Sequence, residues 1–536
     1  MIIQPLTLTV LTDIHHYSEK IGVSGKAYET ANAKSQILLA EAGNVLFETF
    51  EQIAEDNRSD IVLISGDITS NGDFESHKEI ISMLRSLKSR GKRVYVITAT
   101  HDFRKGGEAP LYIGDKRISV PAATRDLLFE MYREFGPDEA ISVHRESMSY
   151  IIQLCDGYRL FALNDDSNCN GKSGFSDECF EWIKENAEKA REDNQFIVAM
   201  THHPLIAPSP IYEIIGKGDM LGDYNERIEQ LADLGIQFIF TGHTHIPNVS
   251  LYQSKRGNAL YDICTGSAIG YPGSIRMATI SPADGKVKLS TDYVRTPESL
   301  KKEGKELKSY LQEQLIGVVK NMIKTAGEDI DKLADMAQSI SVKPKVIYKF
   351  GWIIKPVFKL LNSLKIGTVA KWTKKETGLK PSEWKEIKDK RVADIIIELV
   401  QNLFAGESKY PPETPTYKIV MGFLYIVDSI VDALHIDFKK LIKVVSKPSE
   451  LVESLLYNPY FDAYNCELDI NNYYPEGERG ERITLPEKKH TVKKSRKGLA
   501  VIIISALLLI VFLPLILILL MFGFIANQVK YADKLK

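Results

Sequence analysis

Five short clusters of carboxylates and imidazoles punctuate the first half of the chain. They read Asp13-Ile14-His15, Gly66-Asp67, Thr100-His101-Asp102, His202-His203-Pro204 and Gly242-His243-Thr244-His245. Six of the 11 histidines fall inside them. Carboxylate oxygens with neutral imidazole nitrogens suit borderline divalent ions such as Mn, Fe, Co, Ni or Zn. The donors are too many for one ion and adequate for two. Any single cluster is explained by an ordinary strand-end turn; five in series point to one shared site.

Each cluster follows a short apolar run. Thr7–Thr12, Ile61–Ser65, Val94–Ala99, Phe196–Thr201 and Ile236–Thr241 read as buried strands. Helical patterns over Ser35–Ala54, Glu75–Arg90, Asp177–Arg191 and Asn225–Leu234 separate them. That rhythm predicts βαβ units with helices on the sheet faces. Ligands of such sheets gather at the carboxyl ends of strands, where all five clusters fall. Further runs at Met148–Gln153, Arg159–Leu163, Ala259–Thr265, Met277–Ser281 and Val287–Thr291 predict a second, partly antiparallel sheet. The expected fold is an α/β sandwich of two mixed sheets flanked by helices.

In order and content the clusters resemble those of the calcineurin-like metallophosphoesterases. That family runs D-x-H, G-D, G-N-H-D/E, a His near H-x-P, and G-H-x-H; this chain has DIH, GD, ATHD, HHP and GHTH. The resemblance covers about the first 295 residues. It implies that Asp13, His15, Asp67 and His245 hold one metal and that Asp67, His202 and His243 hold the other, with Asp67 bridging. It implies that His101 contacts the phosphate and assists the leaving group, with Asp102 orienting it. The third block departs from the family: Ala99-Thr100 stands where the pattern has Gly-Asn. Thr100 then offers a shorter hydroxyl in place of an amide oxygen, a poorer ligand for the second metal. Two cations side by side lower the pKa of a shared water and deliver hydroxide for in-line attack on phosphorus. A general acid in the position of His101 contributes roughly 10²–10⁴-fold.

The DIHH…GDITSNG…THHPL texture is similar to the bacterial cyclic-nucleotide and glycerophosphodiester phosphodiesterases of the family, which implies a small phosphodiester substrate. The alternatives are a phosphomonoesterase and a catalytically weakened scaffold or sensor. Asp165, Asp166 and Asn168 follow a strand end and either line the pocket or close a turn. Tyr224 and Asn225 stand before a helix, where capping competes with substrate contact. His16 and His203 adjoin ligands and are expected to hydrogen-bond to them.

Composition bounds the rest. Lys+Arg number 68 and Asp+Glu 70, a net charge of −2 over 536 residues, which excludes a globally basic nucleic-acid binder. At 44% hydrophobic and 26% charged, the chain has ample material for a core. Its five cysteines include no C-x-x-C pair and predict neither a disulfide framework nor a zinc ribbon.

From about Pro297 the texture is helical, with candidate helices at Leu300–Ala337, Lys345–Leu364, Pro381–Phe404, Tyr417–His435 and Asp437–Leu456. The expected organisation is a catalytic domain over 1–295, a helical domain over 296–470, a basic tether over 471–497, a membrane helix over 498–526 and a short tail over 527–536. Leu499–Ala526 carries no charge and is long enough to cross a hydrocarbon core. Lys488, Lys489, Lys493, Lys494, Arg496 and Lys497 precede it, against Lys530, Lys534 and Lys536 after it. The excess predicts a C-terminally anchored, single-pass protein with its catalytic domain in the cytoplasm. Between Lys343 and Lys380 ten lysines face one acid, Glu376, and are interleaved with aromatic and aliphatic residues. That pattern reads either as contact with an anionic membrane surface or as an ordinary helix with solvated lysines.

Overall fold

The computed structural model describes residues 3–32, 39–166, 173–208, 217–339, 344–373, 379–406, 410–433, 435, 437–441, 445–457 and 462–483. The chain first lays down β1 (Leu6–Leu11), β2 (Ile61–Ser65) and β3 (Arg93–Ile97), then a separate hairpin of β4 (Glu108–Ile113) and β5 (Lys116–Pro121). Next come β6 (Ser142–His144), β7 (Ser149–Cys155), β8 (Tyr158–Ala162), β9 (Phe196–Met200) and β10 (Phe238–Thr241). The remaining strands are β11 (Asn248–Gln253), β12 (Ala259–Cys264), β13 (Ser274–Ser281), β14 (Lys286–Tyr293) and β15 (Cys466–Asp469).

They form a six-stranded sheet in the order β15-β14-β13-β1-β2-β3 and a seven-stranded sheet in the order β11-β12-β10-β9-β8-β7-β6. The segments β1-β2-β3 and β8-β9-β10-β12 are parallel, and the outer pairings are antiparallel. The predicted division of strands therefore needs correction. The strands over Met277–Ser281 and Val287–Thr291 join β1 in the first sheet, whereas β9 and β10 belong to the second. Local apolar patterning identifies a strand, but the partner is chosen by register and burial, which no short window contains.

Both sheets are buried on both faces, which is why their strands read as continuous apolar runs. Leu8, Val10, Leu63 and Ile97 meet Tyr150, Leu160, Val198 and Phe240 between the sheets. The other face of the first sheet, with Leu11, Ile64 and Val96, packs on helices Ala42–Glu55 and Phe74–Ser89 through Val45, Leu46, Ile80 and Leu84. The second sheet sets Phe161, Ala199 and Ile239 against helices Asp177–Glu192 and Tyr224–Asp233. Asp73 and Ser176 cap the helices that follow them, accepting from the amides of Ser76 and Cys179.

The helical part is broken more finely than its periodicity predicts. Leu300–Ala337 divides into Glu298–Lys302, Leu307–Glu328 and Ile330–Ser339. Pro381–Phe404 divides into Pro381–Ile387 and Val392–Phe404. Leu307, Leu311 and Leu315 pack with Ile246, Ala268, Ile269 and Tyr271, so this part sits against the loops that leave β10 and β12. Residues 296–470 are not wholly helical: β15 returns to pair antiparallel with β14.

The expected tether also begins later than residue 471. The amides of Asn471 and Asn472 donate to Gln237 Oε1, that of Ala259 donates to the Asn472 carbonyl, and that of Gly480 to Arg256. Those bonds fasten this stretch to the second sheet. Among the described residues no helix is long and apolar enough to cross a membrane. The segments 484–497 and 498–526 lie outside the described residues.

Candidate metal centre

The five clusters leave the carboxyl ends of β1, β2 and β3 in one sheet and of β9 and β10 in the other, and they converge at one end of the sandwich. Three overlapping groups bring ligand atoms within 4.8 Å of one another: Asp13 with His15 and His245, His15 with Asp67 and His101, and Asp67 with His202 and His243. Asp67 belongs to two of them.

The backbone is strained where the ligands sit. Asp13, His15, Asp67, His243 and His245 all have positive φ, between 39° and 65°. Each such residue costs of order 1–3 kcal/mol and persists only where its surroundings over-determine it. The ties are visible. The Asp13 and His15 amides donate to the carbonyls of Gly66 and Asp67 at 3.0 and 2.9 Å. Ser267 Oγ donates to the Asp13 carbonyl at 2.7 Å, and Ser70 Oγ to the His15 carbonyl at 2.6 Å.

The second residues of the G-D and G-H pairs require their glycines. A Cβ on Gly66 (φ +99°) would lie 2.7 Å from His202 Nδ1, and one on Gly242 would lie 2.4 Å from Asp13 Oδ2.

Side-chain bonds then decide which atoms face the centre. Asp13 Oδ2 accepts from Thr12 Oγ1 and the His243 amide, leaving Oδ1 buried, without a hydrogen bond, 3.2 Å from His245 Nε2. His202 Nδ1 donates to the Ser65 carbonyl at 2.8 Å, so its bare Nε2 points at Asp67 Oδ2, 3.2 Å away. Neither ring nitrogen of His243 has a hydrogen bond. The Nε2 atoms of His15 and His245 stand 2.9 Å apart. Buried polar atoms are almost always paired, so a cluster of unpaired oxygens and imidazole nitrogens aimed at one space fits divalent cations. Burial pushes the Asp13 and Asp67 carboxyls up, but the surrounding imidazoles outweigh it and hold both well below the usual range. They remain ionised, as ligands must.

The third cluster is arranged differently from expectation. His101 Nδ1 meets the Ser70 carbonyl at 3.0 Å, which requires the proton on Nδ1 and turns Nε2 toward Asp67 Oδ2, 3.9 Å away. Ser70, not Asp102, fixes this tautomer. Asp102 accepts the amides of Thr69 and Ala99 at 2.7 and 2.8 Å and so clamps the β2 and β3 loops together. Its carboxylate is committed to those amides and does not meet the imidazole of His101. The His101 amide in turn donates to Asp67 Oδ1 at 2.9 Å. Burial pushes His101 down to about 3 and, together with Asp67, pushes Asp102 up to about 8. Thr100 Oγ1 is buried without a hydrogen bond.

A family model described as calcineurin-like phosphoesterase matches residues 6–247. Over those residues the chain is similar to the calcineurin-like phosphoesterases. Among solved structures, a dimetal phosphatase from Danio rerio is 11% identical, with 53% of this chain and 95% of that one covered and a TM-score of 0.37. A predicted phosphoesterase from Streptococcus pneumoniae TIGR4 is 12% identical, with 54% and 90% covered and a TM-score of 0.21. No curated protein matches the chain.

Around the centre, several residues take roles their types alone did not reveal. Asp165 is not a pocket liner: it accepts from Thr201 Oγ1 and the His203 amide at 2.8 Å and meets His203 Nδ1 at 3.0 Å. His203 thereby stacks on His243, with ring centroids 4.3 Å apart. Asp166 is buried, and burial followed by Asp165 pushes it up to about 7. His16 turns away from the centre to Glu79 Oε2 at 2.9 Å. Tyr224 is half-buried against the core and Asn225 is exposed. Asn168 lies outside the described residues.

Sequence reasoning missed Asp219, which is buried with Oδ1 3.9 Å from His243 Nε2. It also missed Asp262, whose carboxylate accepts the Leu205 and Ile206 amides and Thr241 Oγ1 and so binds the loop of His202 to that of His243. No short motif marks either residue.

Proposed function

We propose that the domain carrying this centre hydrolyses a small phosphodiester with two divalent ions, Mn, Fe, Zn or similar, and that a C-terminal segment tethers it to a membrane. The observation that carries the reading is the set of buried, unpaired atoms Asp13 Oδ1, His202 Nε2 and His243 Nε2, delivered to one space by both sheets. Asp13, His15, Asp67 and His245 would hold one ion, and Asp67, His202 and His243 the other, with the shorter Thr100 hydroxyl standing in the chain where the family has an amide side chain. Bound there, the ions would supply charge neutralisation and a nucleophile near neutral pH.

The chain's own groups do the positioning. The Ser65 carbonyl and Asp165 orient the imidazoles of His202 and His203, and the His101 amide holds Asp67. His101 presents Nε2 to the centre, where a phosphate anion would favour its protonation and let it hand a proton to the departing alkoxide. Asp102 supports that turn from below by tying Ala99 to Thr69.

The diester preference rests on the motif texture. Thr100 supports a second reading, a scaffold or sensor with a weakened site. Hydrolysis of bis-p-nitrophenyl phosphate and p-nitrophenyl phosphate with added Mn, against a chelator control, tests both. Faster, chelator-sensitive cleavage of the diester supports the proposal. Faster cleavage of the monoester makes the protein a phosphomonoesterase, and no cleavage of either favours the scaffold.

The membrane tether rests on the uncharged run Leu499–Ala526 and its basic flank, an asymmetry that supports reading the catalytic domain as cytoplasmic. Carbonate-resistant sedimentation with membranes tests it, and extraction of the full chain into the soluble fraction would refute it.

A further inference from the structure

The helix Pro344–Ser363 has two faces of unlike character. Ile347, Phe358 and Leu361 are buried, with Phe358 lying against Gly327 of the helix Leu307–Glu328. On the opposite side Trp352 is 76% exposed, Tyr348 51% and Leu360 40%, and Lys345, Lys355 and Lys359 are exposed beside them. At 100° per residue these six occupy an arc of about 140° centred opposite the buried three. The helix carries Lys345, Lys349, Lys355 and Lys359 and no acid. Among the described residues, no carboxylate pairs with Lys345, Lys355 or Lys359.

We propose that this face docks on the surface of a bilayer containing anionic lipid, with Trp352, Tyr348 and Leu360 entering the headgroup boundary and the lysines meeting lipid phosphates and carboxylates. A solvated helix keeps large aromatics out of water, whereas here the most exposed large hydrophobic side chain of the described protein stands between Lys345, about two turns before it, and Lys355, about one turn after it. Aromatic rings with one wet edge belong at a membrane boundary, and lysine stems reach past them to the headgroups. A second copy of the chain is a poor occupant, because face-to-face pairing would set lysine against lysine. The proposal stands on this helix alone and not on the reaction. The tether proposed above would add only proximity.

The test uses the full chain with vesicles of phosphatidylcholine, alone or mixed with phosphatidylserine, carrying brominated acyl chains that quench tryptophan on contact. The expected result is quenching with phosphatidylserine that Trp352→Phe removes, although Trp182, Trp372 and Trp384 remain. Replacing Lys345, Lys355 and Lys359 by Gln should weaken docking about fivefold per lysine, roughly a hundredfold for all three, and added salt should do the same. Equal quenching with neutral lipid, or quenching unchanged in Trp352→Phe, overturns the proposal. So does shielding of Trp352 in lipid-free solution, whether by a dimer or by an acidic protein. Phosphoester hydrolysis in detergent is indifferent to either result, so failure here leaves the catalytic reading standing.

Discussion

Gly66→Ala is a sharp perturbation of the centre that replaces no ligand. Gly66 has φ +99°, and an added Cβ would stand 2.7 Å from His202 Nδ1 and from Ala99 Cβ. Two costs follow. A side chain in that backbone region costs of order 1–3 kcal/mol. The His202 ring must also move by several tenths of an ångström, which breaks or lengthens its 2.8 Å bond to the Ser65 carbonyl. Outer partners of metal-bound histidines typically affect metal affinity or activity by 10–100-fold.

Gly91 supplies the control, because it has φ +89° and nothing within 4 Å of an added Cβ. Gly91→Ala should therefore lose stability of similar size and leave metal binding intact. Titration calorimetry with Mn and chemical denaturation of both variants measure the two effects separately. Wild-type metal affinity in Gly66→Ala, or an equal loss in Gly91→Ala, would refute the steric argument.

Other expectations follow from the same contacts. His101→Ala should slow diesters with alkoxide leaving groups by roughly 10²–10⁴-fold and nitrophenolate esters far less; equal losses in a kcat comparison remove the proton-donor role. Asp102→Asn should cost about 1–3 kcal/mol in denaturant unfolding, because one of two amide donors, on Thr69 or Ala99, then faces an NH₂ group. Unchanged stability would show that the carboxylate is not a clamp.

His77 is fully buried between Tyr132 and the Asp102 carbonyl, and burial pushes it down from 6.5 to about 4. Protonation then favours the unfolded chain, so its contribution is complete above pH 6.5 and is lost as pH falls toward about 4, a swing of roughly 3 kcal/mol. His77→Gln, which can keep both bonds, should flatten that part of a stability–pH profile; an unaltered slope would assign it to other groups.

The strands that carry the five clusters were legible because each is an apolar run ending in residues whose chemistry is unmistakable. What the sequence hid has identifiable causes. The hairpin Glu108–Pro121 alternates weakly and is largely exposed on β5, so no buried face marked it. Sheet membership of β13 depends on pairing with β1 across more than half the domain, and that of β14 on pairing with β13 in turn, which local pattern does not encode. Strand β15 is four residues long and gains its place only from the edge of β14.

At the centre, the ligand types were readable and their supports were not. Ser65 and Ser70 orient His202 and His101 through backbone carbonyls, which are the same in every residue. Asp262 and Asp165 resemble any other strand-end aspartate until their partners come into view. Asp102, which the family resemblance implies orients His101, instead accepts the Thr69 and Ala99 amides, a tie that no motif spells out.

In the function proposed above, Asp13, Asp67 and their surrounding imidazoles hold a pair of divalent ions through a shared carboxylate. Elemental analysis of the purified chain and of Asp67→Asn after identical loading with Mn and desalting tests it directly. About two equivalents of metal are expected on the parent protein, as two-ion phosphoesterase sites hold, with both lost from the variant. A parent chain that retains no metal, or a variant that keeps both ions, would contradict it.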